Sequence, residues 1–162
     1  YRLKPRENLH VNQWWMCDEG RYGFKHVHDE NRIVEPHVFD GEELSKADWS
    51  TLPEVIDKRL RKAGRLAAVL SPHLTVEEAY LLATYIKGID EDALLAVGPV
   101  PVVGEDEGFP NGFVIRAEKC PNRRGVEEVV ARLGGGLLTF NELLEKVESE
   151  NVGGVWVRER SM

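Results

Sequence analysis

From about Asp48 onward, apolar positions alternate between helical spacing and short unbroken runs, with polar starts and glycine stops between them. Thr51-Leu52-Pro53-Glu54 has the form of a capping box with proline in the first turn. Val55, Ile56 and Leu60 then share one helical face, and Gly64 is placed to end the helix. Leu66-Ala67-Ala68-Val69-Leu70 has no polar member, as expected of a strand buried on both faces. Thr75-Val76-Glu77-Glu78 is a second capping box, opening a helix that runs to Gly88 with Ala79, Leu82, Ala83 and Ile86 inward.

Ala93 to Val97 reads as the next strand and Phe113 to Arg116 as a third. Pro121-Asn122 precedes a helix carrying Val126, Val129, Val130 and Leu133 on one face, stopped by three glycines at 134–136. Leu137-Leu138 is a short strand candidate, Thr139-Phe140-Asn141-Glu142 a third capping box, and Val152 to Val157 a last apolar strand. Strands and helices alternating at this interval imply β-α-β units. The expected fold is a layered α/β domain with a mostly parallel sheet and helices on both faces.

Residues 1–47 have a different texture. Pro5, Gly20, Gly23, Pro36 and Gly41 punctuate short polar segments with little periodicity. The expected organisation is an irregular segment over 1–47 followed by an α/β domain over 48–162.

The chain of 162 residues is 42% apolar and 30% charged, an ordinary globular composition, with a net charge of −7. That charge leaves no basic stripe to neutralise phosphates and excludes nucleic acid as the expected partner. No signal peptide and no apolar run long enough to span a bilayer is visible, so no direct membrane insertion is expected. Cys17 and Cys120 are too few for a disulfide framework, which favours a reducing compartment. The start at Tyr1 and the stop at Arg158-Glu159-Arg160-Ser161-Met162 read as cuts from something longer.

The most distinctive segment is Val11-Asn12-Gln13-Trp14-Trp15-Met16-Cys17-Asp18-Glu19-Gly20-Arg21-Tyr22-Gly23-Phe24. A cysteine behind two tryptophans and ahead of a Gly-Arg turn suits an iron–sulfur ligand: the aromatics would keep the thiolate dry, and the turn would offer N–H donors to sulfur. A buried, inert thiol is the plainer alternative. From Arg6-Glu7-Asn8 through Gly23 the segment resembles the large iron–sulfur (G) subunit of respiratory NADH:quinone oxidoreductase, complex I, in the molybdopterin oxidoreductase superfamily. In that family a motif Asn-x-x-Trp-x-Cys-Asp-x-Gly-Arg-aromatic-Gly supplies the last cysteine of a [4Fe-4S] cluster. The resemblance implies that Cys17 is the fourth cluster ligand in a longer parent protein. The family's other three cysteines come shortly before the motif, so this fragment alone is expected to hold no cluster.

Ser71-Pro72-His73-Leu74-Thr75-Val76-Glu77-Glu78-Ala79-Tyr80 sits at a strand-to-helix turn, where α/β proteins bind ligands. By itself it is a capped helix. It is also similar to the superfamily's pattern at that turn, as is Trp49 opening a helix. Catalytic relatives place a molybdenum ligand soon after the following strand. This chain has Gly98-Pro99-Val100-Pro101-Val102-Val103-Gly104 there, with no donor side chain, so no molybdenum is expected. Glu105, Asp106 and Glu107 read most simply as a solvated loop tip.

Ile115-Arg116-Ala117-Glu118-Lys119-Cys120-Pro121-Asn122-Arg123-Arg124-Gly125 forms another such junction, where Arg123 and Arg124 are a candidate anion site against a plain capped helix with surface arginines. Cys17, His26, His28 and His37 lie within about twenty residues and form a zinc alternative, against exposed loop histidines; His26-Val27-His28 would alternate as on a strand. The favoured expectation is a scaffold and electron-transfer-supporting part of the oxidoreductase's peripheral arm, without its own catalytic site. The resemblance implies partnership with the other peripheral-arm subunits and a cytoplasmic place at the inner face of the plasma membrane, through those partners. The alternatives are a degenerate molybdopterin-type domain holding an anionic or nucleotide ligand, and a small zinc-stabilised interaction module.

Overall fold

The computed structural model describes residues 3–158, apart from the side chain of Glu19. The two chain ends singled out in the sequence lie outside the described residues, save Arg158. Two compact units divide between Leu52 and Pro53.

The first unit is assembled from short local pieces. A turn closed by the antiparallel bridge Asn8↔Gln13 leads to the single helical turn α1 (Asp18–Tyr22), and a 3-10 turn over Gly23–His28 follows. His26 and His28 therefore sit on a helical turn and not on the expected strand; local carbonyl contacts outcompete an extended segment that would have no partner strand. A hairpin joins β1 (His37–Phe39) to β2 (Leu44–Lys46), with Val38 opposite Ser45. The Asp40 carboxylate accepts from the Glu42 and Glu43 amides at 3.0 and 3.1 Å, which fixes the loop. Among the described residues of this unit none is buried.

The second unit is the layered α/β body. Its elements begin with α2 (Leu52–Lys62), β3 (Leu66–Leu70), α3 (Val76–Ile89) and β4 (Leu94–Val97). A hairpin of β5 (Glu107–Gly108) and β6 (Val114–Ile115) follows, then α4 (Arg123–Gly134), α5 (Phe140–Ser149) and β7 (Gly154–Arg158). The main sheet has the order β4-β3-β7, and both pairings are parallel.

Every residue of β3 is buried because the strand is central and both faces are covered. Leu66, Ala68 and Leu70 pack with Ala79, Ala83 and Ile86 of α3 and with Val126, Val129 and Val130 of α4. Ala67 and Val69 point the other way, into a smaller cluster with Leu94, Ala96 and Leu143 of α5. The two-residue period of the strand thus feeds two separate cores. Asp90, at the end of α3, takes the Leu66 amide at 2.7 Å and the Asp92 amide at 3.0 Å, so one carboxylate fixes the start of β3 and the turn into β4.

The capping boxes at Thr75 and Thr139 are both formed reciprocally with Glu78 and Glu142. Helix α2 begins at Leu52, and the Thr51 hydroxyl donates back to the Asp48 carbonyl at 3.2 Å. Trp49 lies in the turn before that helix. Leu138 contributes a single parallel bridge to Ala96 at the outer edge of β4.

One expected strand is corrected. Val114–Ile115 does not join the parallel sheet; it pairs antiparallel with Glu107–Gly108 in a hairpin of its own. The tip reads Phe109-Pro110-Asn111-Gly112-Phe113, with Gly112 at φ +81°. Proline presets the first turn position and glycine supplies the left-handed one, the form of a three-residue hairpin loop. A local partner with this turn chemistry closes a shorter loop, at lower entropic cost, than a place in a distant parallel sheet.

Candidate functional site

Cys17 stands immediately before α1, and its surroundings are built by backbone contacts. Asn12 donates from Nδ2 to the Trp15 carbonyl at 3.0 Å and to the Arg6 carbonyl at 3.2 Å, holding the chain on both sides of the turn. Gln13 takes a positive φ of 51° to close it. The Arg21 amide donates to the Cys17 carbonyl at 3.1 Å, beginning α1. The Gly20 amide donates to Cys17 Sγ at 3.3 Å. Such an N–H bond to sulfur is what a Gly-containing turn can offer a metal-bound thiolate.

Among the described residues the aromatics do not form the expected dry pocket. Trp14 and Trp15 stack on each other, with ring centroids 4.6 Å apart and planes at 22°, and remain 58% and 67% exposed. Cys17 is exposed too. Adjacent tryptophans after a tight turn satisfy each other's faces more readily than they enclose a sulfur two or three residues on. His26 Nδ1 lies 2.7 Å from the Gly23 carbonyl, and His37 Nδ1 lies 3.1 Å from the Glu35 carbonyl. Among the described residues no group of three or more His, Cys, Asp or Glu side chains is gathered in metal-binding geometry.

The second candidate lies at the carboxyl ends of β3 and β4. Ser71, only 3% exposed, directly follows β3; its amide donates to the Arg158 carbonyl, and its Oγ accepts from the His73 amide at 3.3 Å. The start of α4 is braced against this turn. The Asn122 amide donates to the Pro72 carbonyl at 3.1 Å, and its Nδ2 donates to the Leu74 carbonyl at 2.8 Å. Because the Asn122 side chain is engaged across the turn, it makes no cap to its own helix. On the other side, the Gly98 amide donates to the Leu70 carbonyl at 2.8 Å, so the Gly98-Pro99-Val100-Pro101 turn follows directly from β4.

Arg123 and Arg124 do not act as a matched pair. Arg123 Nε lies 3.2 Å from Glu118 and 3.6 Å from Glu127, so its charge is already met. Arg124 is exposed and makes no ion pair among the described residues. Glu118 also accepts from the Cys120 thiol at 3.2 Å. Burial, reinforced by that carboxylate, pushes the Cys120 thiol up to about 11. Cys120 is therefore a poor nucleophile near neutrality.

Sequence reasoning missed the role of Asp106. Its Oδ1 accepts from the Ala117 amide at 2.8 Å, and its Oδ2 pairs with Arg116 at 2.6 Å. The Ala117 N–H, and then Arg116, hold its carboxyl below the usual aspartate range. The signal available in advance was the Phe-Pro-Asn-Gly-Phe turn, which places Asp106 and Arg116 on facing strands.

No family model and no solved structure matches this chain. Curated proteins do. The G subunit of NADH-quinone oxidoreductase from Streptomyces coelicolor is 33% identical over 79 residues, 48% of this chain and 9% of that protein. The protein of the same name from Pseudomonas fluorescens is 27% identical over 135 residues, 78% of this chain and 13% of its own length. The chain is similar to the G subunit of NADH-quinone oxidoreductase. NADH-quinone oxidoreductase subunit 3 of Thermus thermophilus adds 30% identity over 90 residues, 54% of this chain and 11% of that protein. The chain thus spans about a tenth of the length of the curated relatives it matches. Among the described residues no helix is long and apolar enough to cross a membrane.

Proposed function

We propose that this chain is a stretch of the large iron–sulfur subunit of an NADH:quinone oxidoreductase. It supports electron transfer as scaffold in the peripheral arm and has no catalytic site of its own. The observation that carries the reading is Cys17, exposed within the Trp-Trp-Met-Cys-Asp-Glu-Gly-Arg motif with the Gly20 N–H on its sulfur. Similarity to NADH-quinone oxidoreductase subunits supports it.

The residues fit one corner of a [4Fe-4S] cluster and no more. Cys17 would hold an iron, and Gly20 would withdraw charge from the bound sulfur by its hydrogen bond. Cys120 belongs to a different element, where its thiol donates to Glu118, and the reading gives it no ligand role. The cluster, when bound, supplies one-electron transfer; the α/β unit supplies a rigid body within the same subunit. Gly98 to Pro101 offers molybdenum no side-chain donor, and the prolines lack N–H groups as well. The reading places the protein at the cytoplasmic side of the plasma membrane, held there through other peripheral-arm subunits.

The experiment is anaerobic purification of the full polypeptide that contains this stretch, with Cys17→Ser beside it. Iron, labile sulfide and low-temperature electron paramagnetic resonance should show one [4Fe-4S] centre lost in the variant. The 162-residue chain alone should return no stoichiometric labile sulfide. An unchanged cluster content in Cys17→Ser would overturn the assignment.

A further inference from the structure

Between β4 and α4 the chain leaves the α/β body as a two-stranded arm. The Lys119 amide donates to the Pro101 carbonyl and the Val103 amide to the Ala117 carbonyl, both at 2.8 Å. Further out, Glu107 pairs with Ile115 and Gly108 with Val114, and the Phe109 amide closes the tip on the Phe113 carbonyl at 2.8 Å. Phe109 and Phe113 meet across the tip with ring centroids 5.8 Å apart.

The charges on this arm are sorted. Asp106 is engaged by the Ala117 N–H and Arg116, Lys119 Nζ donates to the Arg116 carbonyl, and Glu118 is held by Arg123. Glu105 and Glu107, on either side of Asp106, make no ion pair among the described residues. Beside them Val102, Val103, Phe113 and Ile115 stay exposed, Val103 to 66% and Phe113 to 58%. An arm whose own cations are matched locally leaves an aromatic tip and two carboxylates without an ion pair at its surface.

We propose that this arm is a docking element for a companion protein subunit that offers an apolar cleft bordered by lysine or arginine. The inference rests on the subunit reading given above. The free carboxylates repel nucleic acid and anionic lipid, and a second copy of a chain of net charge −7 would bring like charge to like. A basic, apolar protein surface satisfies both the carboxylates and the aromatic pair.

The test is zero-length carbodiimide cross-linking with mass spectrometry on the assembled oxidoreductase, purified through a tag on a companion subunit. Glu105 or Glu107 should join a lysine of a companion subunit. In the same preparation, Glu105→Lys with Glu107→Lys should weaken retention of that subunit by about tenfold or more. The isolated chain carrying the same changes should keep its circular dichroism and urea midpoint. Cross-links only to lysines of the polypeptide that contains this stretch would overturn the inference, as would carboxyl labelling of the arm as complete in the assembly as in the free chain. If the chain fails to co-purify at all, the subunit reading fails and the inference falls with it. Co-purification with a fully labelled arm defeats the inference alone.

Discussion

Asn122 Nδ2 donates to the Leu74 carbonyl at 2.8 Å, joining two strand-to-helix turns that are forty-eight residues apart in the chain. Leu74 is buried, so this carbonyl has no ready access to water. Asn122→Ala should therefore cost about 1–3 kcal/mol, the penalty of an unpaired buried acceptor, read from urea denaturation. Gly125 guards the same contact, because a Cβ there would run into Asn122 Oδ1 and lie 2.8 Å from Val76 Cγ2. Gly125→Ala should destabilise the domain by displacing Asn122, and in Asn122→Ala its effect should shrink. Equal effects in both backgrounds would refute the coupling.

Gly153 brings the chain into β7 so close to the end of α2 that a Cβ would overlap the Ala63 carbonyl oxygen. The obstacle is backbone, which cannot rotate aside. Gly153→Ala should lower stability by about 3 kcal/mol or more, at the upper end of overpacking effects. A thermal melt within two or three degrees of the parent's would exclude the close approach.

The capping boxes give paired tests. Thr75→Ala and Thr139→Ala should each cost about 1 kcal/mol, and the two should add, since they start helices on opposite faces of the sheet. The Thr139 backbone N–H, and then its hydroxyl, hold the Glu142 carboxyl below the usual glutamate range. A carboxyl lowered by folding contributes stability above its unfolded value, and that contribution disappears as pH falls through the lowered one. Acid titration followed by the Thr139 amide resonance should show the box opening only below the ordinary glutamate range.

Thiol chemistry should separate the two cysteines. Cys17 is exposed, whereas Cys120 is partly buried, bonded to Glu118 and pushed up to about 11. Iodoacetamide at about pH 8 should alkylate Cys17 and leave Cys120 largely unmodified until the chain is unfolded. Since folding raises the Cys120 value, its stabilising contribution is complete below the unfolded thiol value and declines as pH climbs toward 11. Equal alkylation of both residues in the native chain, read by peptide mass spectrometry, would contradict the described setting of Cys120.

The sequence by itself determined the elements whose cause is local. Thr75 and Glu78, like Thr139 and Glu142, close their boxes within one helical turn, and Leu66 to Leu70 announces a doubly buried strand by lacking any polar residue. The cysteine motif was equally legible, because the resemblance rests on contiguous residues and the Gly20 amide reaches sulfur only three positions back. Tertiary structure decided whatever depends on a partner chosen from afar. The Phe-Pro-Asn-Gly-Phe turn beside Val114 offers Glu107 and Gly108 as partners, but only the folded chain settles that this hairpin wins over a place in the parallel sheet. The exposure of Trp14 and Trp15 belongs to the same class. Apolar composition calls for cover, but only the packing of other elements can supply it, as α3, α4 and α5 do for the strands of the second unit.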